Sequence, residues 1–467
     1  MEWTQESLRR VLAKALENGG DFADVYLENR HSLRMVRENQ QLDKVSIGTD
    51  RGAGVRVVMS GSTAYAYTND LTEEGLLEIA GVVAKAVEKG EQKKLKPFRQ
   101  AESNVQVAPA IDPRQVKLAG KAQLLEKADE AARAVDKRVT QVSVVYRETL
   151  QDVLIANSRG YWAQDNRCRV ALAIMVIAKD GEIMQTAYES IGGAAGFELL
   201  AEESVLEAAR KAAEVAVRML SAKPAPSGKM PVVLAAEAGG TMVHEACGHG
   251  LEADLVQKGV SVYAGKLGEQ VAAKGVTVID DATLPNHYGS YRYDDEGIPA
   301  QRTVLIEDGI LKGYMYDLLT AEKDGVESTG NGRRESYHHR PIPRMSNTFI
   351  APGTDKAEDI IADTPYGLYV TKMGGGQVNT ATGDFVFEVS QGFLIRDGAV
   401  AEPVRGATLT GNGPEALKLI DRIGNDQGFT IGTCGKNGQG APVCDAQPTI
   451  RIKELVVGGI ADEEDAQ

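Results

Sequence analysis

The stretch Thr241-Met242-Val243-His244-Glu245-Ala246-Cys247-Gly248-His249-Gly250-Leu251-Glu252 constrains this chain more than any other. It sets two imidazoles and a carboxylate within six residues of a helical passage. In the zinc-protease pattern H-E-x-x-H, histidines at i and i+4 share one helix face, and the adjacent Glu is the general base. Here the spacing is one residue longer. On an ideal α-helix an i to i+5 step turns the second side chain about 140° from the first, so both rings cannot reach one ion. The spacing therefore predicts a single wide turn, a π-bulge, which brings the rings back to roughly 50° apart. Gly248 and Gly250 are expected to supply backbone freedom for it.

A catalytic zinc takes three protein ligands and keeps one position open, so the histidine pair needs a partner. The candidates are Cys434, Cys444, Cys247, Glu252 and the histidines His287, His338 and His339. Cys434 stands between glycines in Ile431-Gly432-Thr433-Cys434-Gly435-Lys436, where a loop can approach an ion and the lysine is placed to hold a thiolate. Cys247, three residues after His244 on a similar helix face, is a fallback ligand. Glu252 and Asp254 are candidates to accept an imidazole N–H from behind the metal.

The remaining sequence divides into an N-terminal region, 1–220, a linker over 221–230 and a β-rich region, 231–467. The expected class is α+β. In the first region the periodicity predicts helices over Thr4 to Asn18, after Thr72, over Leu118 to Val135 and after Glu203. Between them lie strand-like runs at Asp24 to Asn29, Val45 to Ile47, Gly54 to Met59 and Thr63 to Tyr67, then at Thr140 to Tyr146, Val153 to Asn157, Val170 to Ala178 and Ile183 to Tyr188. This order of helix, antiparallel strands and helix repeats, and Thr63-Ala64-Tyr65 echoes Thr186-Ala187-Tyr188. The two similar portions, about 1–95 and 114–220, point to a duplication joined by a charged linker from Glu91 to Pro113. In the second region Asp308-Gly309 and Asp397-Gly398 mark hairpins of a mainly antiparallel sheet that carries the metal-binding helix. Gly374-Gly375-Gly376 is expected as a turn or a close backbone approach.

The 52 basic and 66 acidic residues leave a net charge of −14, which argues against direct nucleic-acid binding. The start, Met1-Glu2-Trp3-Thr4, is no secretion signal, and no apolar run approaches a membrane span, so a soluble cytoplasmic protein is expected. Four scattered cysteines are expected to be reduced or metal-bound.

Several long motifs in fixed order resemble the TldD/PmbA metalloproteases, formerly described as modulators of DNA gyrase, and specifically the catalytic TldD branch. They are His244 to Asp254, Asp294-Asp295-Glu296-Gly297, Gly330 to Tyr337, Pro343 to Thr348, Gly374 to Val378 and Cys434-Gly435-Lys436. The resemblance covers nearly the whole chain. It implies zinc ligated by His244, His249 and Cys434, with Glu245 as catalytic base. It also implies peptide or unfolded-protein substrates, and a dimer with a PmbA-type paralogue or a second copy. Arg333, Arg334, His339, Arg340 and Arg344 form a basic cluster that is a candidate for binding a peptide carboxylate or oxyanion. The alternative is a non-catalytic regulator with a structural zinc; an oxidoreductase lacks any dinucleotide fingerprint or iron–sulfur spacing.

Overall fold

The computed structural model describes residues 3–87, 90, 94–100, 102–105 and 108–459. Its N-terminal part is an antiparallel sheet with helices on one face. Thr4 caps the helix Gln5–Ala15 through the amide of Ser7, and Thr72 caps Glu73–Lys85 through that of Gly75. The strands between them, Phe22–Glu38, Gln41–Met59 and Ser62–Thr68, form two successive hairpins. The order then recurs as helix Leu118–Arg133, strands Val139–Asn157, Tyr161–Asp180 and Ile183–Gly193, and helix Glu202–Met219. The two halves join through Phe22–Glu38 and Val139–Asn157, which pair antiparallel from Asp24↔Asn157 to Glu38↔Ser143. Each half has its own core: Leu8, Leu12, Val25, Val55, Leu76 and Val83 in the first, Leu125, Val142, Val144, Leu172, Val205 and Ala212 in the second.

The strands are much longer than the sequence periodicity indicates. Asp24 to Asn29 is part of a strand of 17 residues, and Val45 to Ile47 and Gly54 to Met59 are one strand of 19. The same holds for Thr140 to Tyr146 and Val153 to Asn157, which are both segments of Val139–Asn157. Residues 41–51 carry charge and lie largely open to solvent, so apolar alternation fades there while the ladder continues. Glu91 to Lys93, Ala101, Gln106 and Val107 of the expected linker lie outside the described residues.

The C-terminal part holds an eight-stranded and a six-stranded sheet around one large apolar core. Pairing is mostly antiparallel, and both Asp-Gly hairpins form, with Asp308 at φ 48° and Asp397 at φ 49°. Part of the passage expected as a linker is drawn into the eight-stranded sheet: Lys223–Pro224 pairs with Val404 and Arg405, and the strand Gly228–Leu234 begins before Met230. The triple glycine is not a turn. It lies inside the strand Tyr366–Val378, where a Cβ on Gly376 would come 2.0 Å from the Phe387 ring.

The two parts meet on the sheet face opposite the N-terminal helices. Tyr26, Val153 and Ile155 pack on Tyr337, and Phe22 and Val58 on Ile298 and Leu318. Charge is buried at the same junction. Arg56 pairs with Asp24 and, at 2.6 Å, with Glu296; Arg167 reaches Asp295 at 2.7 Å. The Asp294-Asp295-Glu296 motif is thus a seam between the two parts.

Candidate metal centre

The widened turn is present. His244–Gly248 is one turn of π-helix, in which the His249 amide bonds the His244 carbonyl five residues back. The Ala246 carbonyl finds a donor in the Tyr263 hydroxyl at 2.8 Å. Gly248 keeps right-handed helical angles, φ −51° and ψ −59°, so unusual backbone freedom is not its role. A Cβ there would sit 2.2 Å from the Met345 sulfur, and one on Gly250 would sit 2.7 Å from the Tyr263 ring. These glycines admit close neighbours.

The turn brings the His244 and His249 ring centroids to 5.0 Å, nearly perpendicular at 88°. Cys434, on the strand Gly428–Lys436, completes the cluster, with its Sγ 3.2 Å from Nε2 of His244 and 3.3 Å from Nε2 of His249. All three donors lie within 4.8 Å of one another. A tetrahedral zinc with bonds of about 2.0 Å to nitrogen and 2.3 Å to sulfur spaces its donors roughly 3.3–3.6 Å apart. The donor set and its spacing fit such an ion with small ring movements.

Carboxylates orient both rings from behind. Asp445 Oδ1 is 2.7 Å from Nδ1 of His244, and Glu252 Oε2 is 3.0 Å from Nδ1 of His249. A carboxylate accepts, so each Nδ1 carries hydrogen and each Nε2 is the nitrogen available to a metal. Burial opposes protonation of His244 and His249, but Asp445, Glu252 and the Cys434 sulfur outweigh it. His244 is raised well above its ordinary value and His249 to about 10. Burial raises the Cys434 thiol, yet hydrogen bonds from both imidazoles bring it down to about 5. Without a metal the cluster is a thiolate between imidazolium ions, and a divalent cation would take the place of their protons. Glu245 lines the same cavity, of about 500 Å³, and burial raises its carboxyl despite the two histidines.

Asp445 escapes notice in the sequence, because it lies 201 residues from His244 and belongs to no recognisable spacing. Lys436 does not hold the thiolate. Its Nζ lies 3.1 Å from Glu252 and bonds Asp254 and the Pro343 carbonyl. Asp254 consequently serves Lys436 rather than an imidazole. Cys247 donates to the Val243 carbonyl, and burial raises Cys247 and Cys444 to about 12; neither joins the cluster.

The basic cluster does not face this cavity. Arg333 donates to the Met345 and Pro442 carbonyls, and Arg334 to the Asp295 carbonyl. His339 lies beside Ser336, while Arg340 lines a separate cavity at the junction. Arg344 is fully buried and donates to the Cys434 and Gln439 carbonyls, with Nε 3.8 Å from Glu252 Oε1. It braces the strand that carries Cys434 and the carboxylate behind His249 together. Arg333, Arg334 and Arg344 are too deeply committed to receive a substrate, whereas Arg340 is exposed.

Two histidines, a thiolate and a flanking carboxylate around an open cavity are the donor arrangement of hydrolytic metalloenzymes. Comparison with known proteins agrees in class. Models of PmbA/TldA metallopeptidase domain 1, central domain and C-terminal domain match residues 23–89, 111–220 and 227–459. A Haemophilus influenzae protein named as a metalloprotease TldD homolog is 39% identical, covering 94% of this chain and 93% of its own length. A Methanothermobacter thermautotrophicus metalloprotease is 37% identical over 95% of this chain and 97% of its own. The chain belongs to the PmbA/TldD family. Its fold is also similar to a Thermotoga maritima protein named as a candidate modulator of a DNA gyrase, with TM-score 0.81, 25% identity and coverage of 97% and 100%. TldE from Thermococcus kodakarensis shares the fold at TM-score 0.79, 19% identity and coverage of 97% and 100%.

Proposed function

We propose that the chain is a zinc metallopeptidase that hydrolyses peptide bonds in small unfolded proteins and peptides. The observation that carries this reading is the convergence of His244, His249 and Cys434 on one point in a cavity that Glu245 also lines. A Saccharolobus solfataricus relative, 27% identical, is named a zinc metalloprotease, which supports the choice of metal. Zinc held by these three side chains would acidify a bound water and polarise a substrate carbonyl. Glu245 takes the proton from the attacking water and returns it to the departing amine nitrogen. Burial raises its carboxyl, which favours the return of that proton.

The strand that carries Cys434 offers a way to hold any peptide sequence. Gly428–Lys436 is the last strand of its sheet, and it lines both the metal cavity and a neighbouring one of about 570 Å³. Its hairpin closes on Asn437 and Gly438, at φ 52° and 73°, so Lys436 and Gln439 form a hydrogen-bonded pair. Counting back by twos, Cys434 and Gly432 bond inward. The amides and carbonyls of Gly435, Thr433 and Ile431 face the free edge. A peptide added there as a strand is held by its main chain and passes the metal ligands.

Glu245→Gln is expected to retain zinc while peptide hydrolysis disappears. Hydrolysis at the wild-type rate would refute the assignment of the base. Zinc bound by a wild-type chain that cleaves no peptide would favour the regulatory reading. We further propose a cytoplasmic location, supported by four unpaired cysteines, and self-association or pairing with a PmbA-type chain. Among the described residues no helix is long and apolar enough to cross a membrane.

A further inference from the structure

The duplicated N-terminal sheet treats its two outer edges differently. On one side Arg99–Gln100 adds as a short parallel strand to Tyr161 and Trp162, and Phe98 stacks on Trp162 at 5.4 Å. On the other side Ser62–Thr68 covers only Ala53 to Met59 of its neighbour. Residues 41–51 of that long strand have no outer partner among the described residues, and all but Ser46 are exposed. Leu42, Val45 and Ile47 are 42%, 43% and 58% exposed. Val45 and Ile47 lie opposite Met35 and Leu33, so they carry the apolar face of the second core past the rim of the sheet. A long unpaired edge of this kind is normally blunted or covered.

We propose that residues 44–50 pair antiparallel with the same strand of a second copy, about a two-fold axis at Ile47, so that one sheet runs through both chains. This deepens the self-association named above and rests on it, but is independent of the peptidase chemistry.

The backbone has the right parity. The turn at Ser60 and Gly61, φ 48° and 78°, closes its hairpin on the pair Met59↔Ser62, which is therefore hydrogen-bonded. Odd-numbered residues from Met59 back thus face outward, and even-numbered ones bond to Phe22–Glu38. The Val58 carbonyl fits this, since it accepts from the Asp21 amide at 2.7 Å. No register shift interrupts the ladder back to Lys44. Val45, Ile47, Thr49 and Arg51 consequently present their amides and carbonyls on the free edge.

Charge selects the register. Centred on Ile47, the two copies set Val45 opposite Thr49 and Lys44 opposite Asp50, and symmetry repeats each pair. Lys44 and Asp50 fall in the closer, non-hydrogen-bonded positions, where opposite charges attract most. Asp50 has an oxygen to spare, because its contact with the Tyr337 hydroxyl uses Oδ1 alone. Centring on Ser46 or Gly48 places no opposite charges face to face. A lysine that would repel a foreign strand is matched here by the strand's own copy.

The direct test is a cysteine scan in the full chain, whose four native cysteines are buried. In the proposed register the two Ile47 Cα atoms lie about 5.5 Å apart, within disulfide range, whereas the two Thr49 positions are roughly 14 Å apart. Ile47→Cys is expected to give a covalent dimer under mild oxidation on a non-reducing gel, and Thr49→Cys to remain a single chain. In light scattering Ile47→Pro, which removes an outward amide and no inward one, should weaken association at least tenfold. Lys44→Glu should weaken it, with recovery in Lys44→Glu/Asp50→Lys. A dimer by light scattering without Ile47→Cys crosslinking would overturn this surface and leave self-association standing. A wild-type single-chain mass at every concentration would overturn both.

Discussion

Two buried clusters of charge lie in this molecule, and they solve the cost of burial in opposite ways. Around the metal centre Asp445, Glu252 and Asp254 face imidazoles or cations. Burial pushes Glu252 up, but His249, Lys436 and Arg344 bring it down to about 2. At the junction between the two parts, carboxylates crowd one another. Burial and then Glu296 push Asp294 well above its ordinary range, and burial raises Glu296 to about 7 against the pull of Arg56, with Asp317 adding to the rise. Asp295, facing Arg167 and Arg334, is lowered in spite of its burial. One cluster is arranged to stay charged and orient ligands. The other is a structural seam that shares protons as well as charge.

The largest expected effect breaks the seam. Arg56→Met strands Asp24 and Glu296 without their cation, and loss of one partner of a buried pair costs about 3–5 kcal/mol. Urea unfolding should show this as a lowered midpoint, while zinc affinity of the folded fraction stays as in wild type. A midpoint unchanged by the substitution would mean that the seam does not hold the parts together.

Asp445→Ala should do the reverse. It frees the His244 ring, and metal affinity measured by chelator competition is expected to fall about 10–100-fold. The metal-free unfolding midpoint should move much less than in Arg56→Met. Equal effects of both variants on metal affinity would erase the distinction between the clusters.

The pH dependence separates them by sign. Glu252 has a folded-state value below its unfolded one, so its stabilisation is present above the ordinary Glu range and lost as pH falls toward about 2. Glu296 is raised in the folded state, so the folded chain binds its proton more tightly. Its contribution to stability therefore grows as pH falls from about 7 toward the ordinary Glu range. Glu296→Gln should make the stability profile shallower in that window, leaving the acid limb unchanged. An identical profile would remove Glu296 from the account. The smallest effect expected is that of Arg344→Lys, which keeps the charge but loses the fork spanning the Cys434 and Gln439 carbonyls. Metal affinity should weaken less than in Asp445→Ala.

The same contrast explains what the sequence discloses. The histidine pair and its wide turn are local, so the spacing of His244 and His249 reveals them. Helices announce themselves by periodicity, and the recurring order of helix, strands and helix by the sequence of the runs. The charged ribbon Arg30 to Glu38 hides half a strand, because its stabilising partners, such as Asp129 for Arg37 and Gln141 for Glu38, lie 92 and 103 residues away. Arg333, Arg334 and Arg344 read as a surface cluster because arginine is rarely buried. Only the fold reveals the distant carbonyls of Pro442 and Cys434 that consume their donors. Asp445 is invisible for the same reason.

His244, His249 and Cys434 are proposed to form an open three-ligand zinc site. Metal content by mass spectrometry of the purified chain beside Cys434→Ser tests it most directly. About one zinc per wild-type chain, lost or markedly loosened in the variant, is the predicted result. Equal zinc in both forms would contradict the role of Cys434, and a folded wild-type chain that takes up no zinc when it is supplied would contradict the site itself.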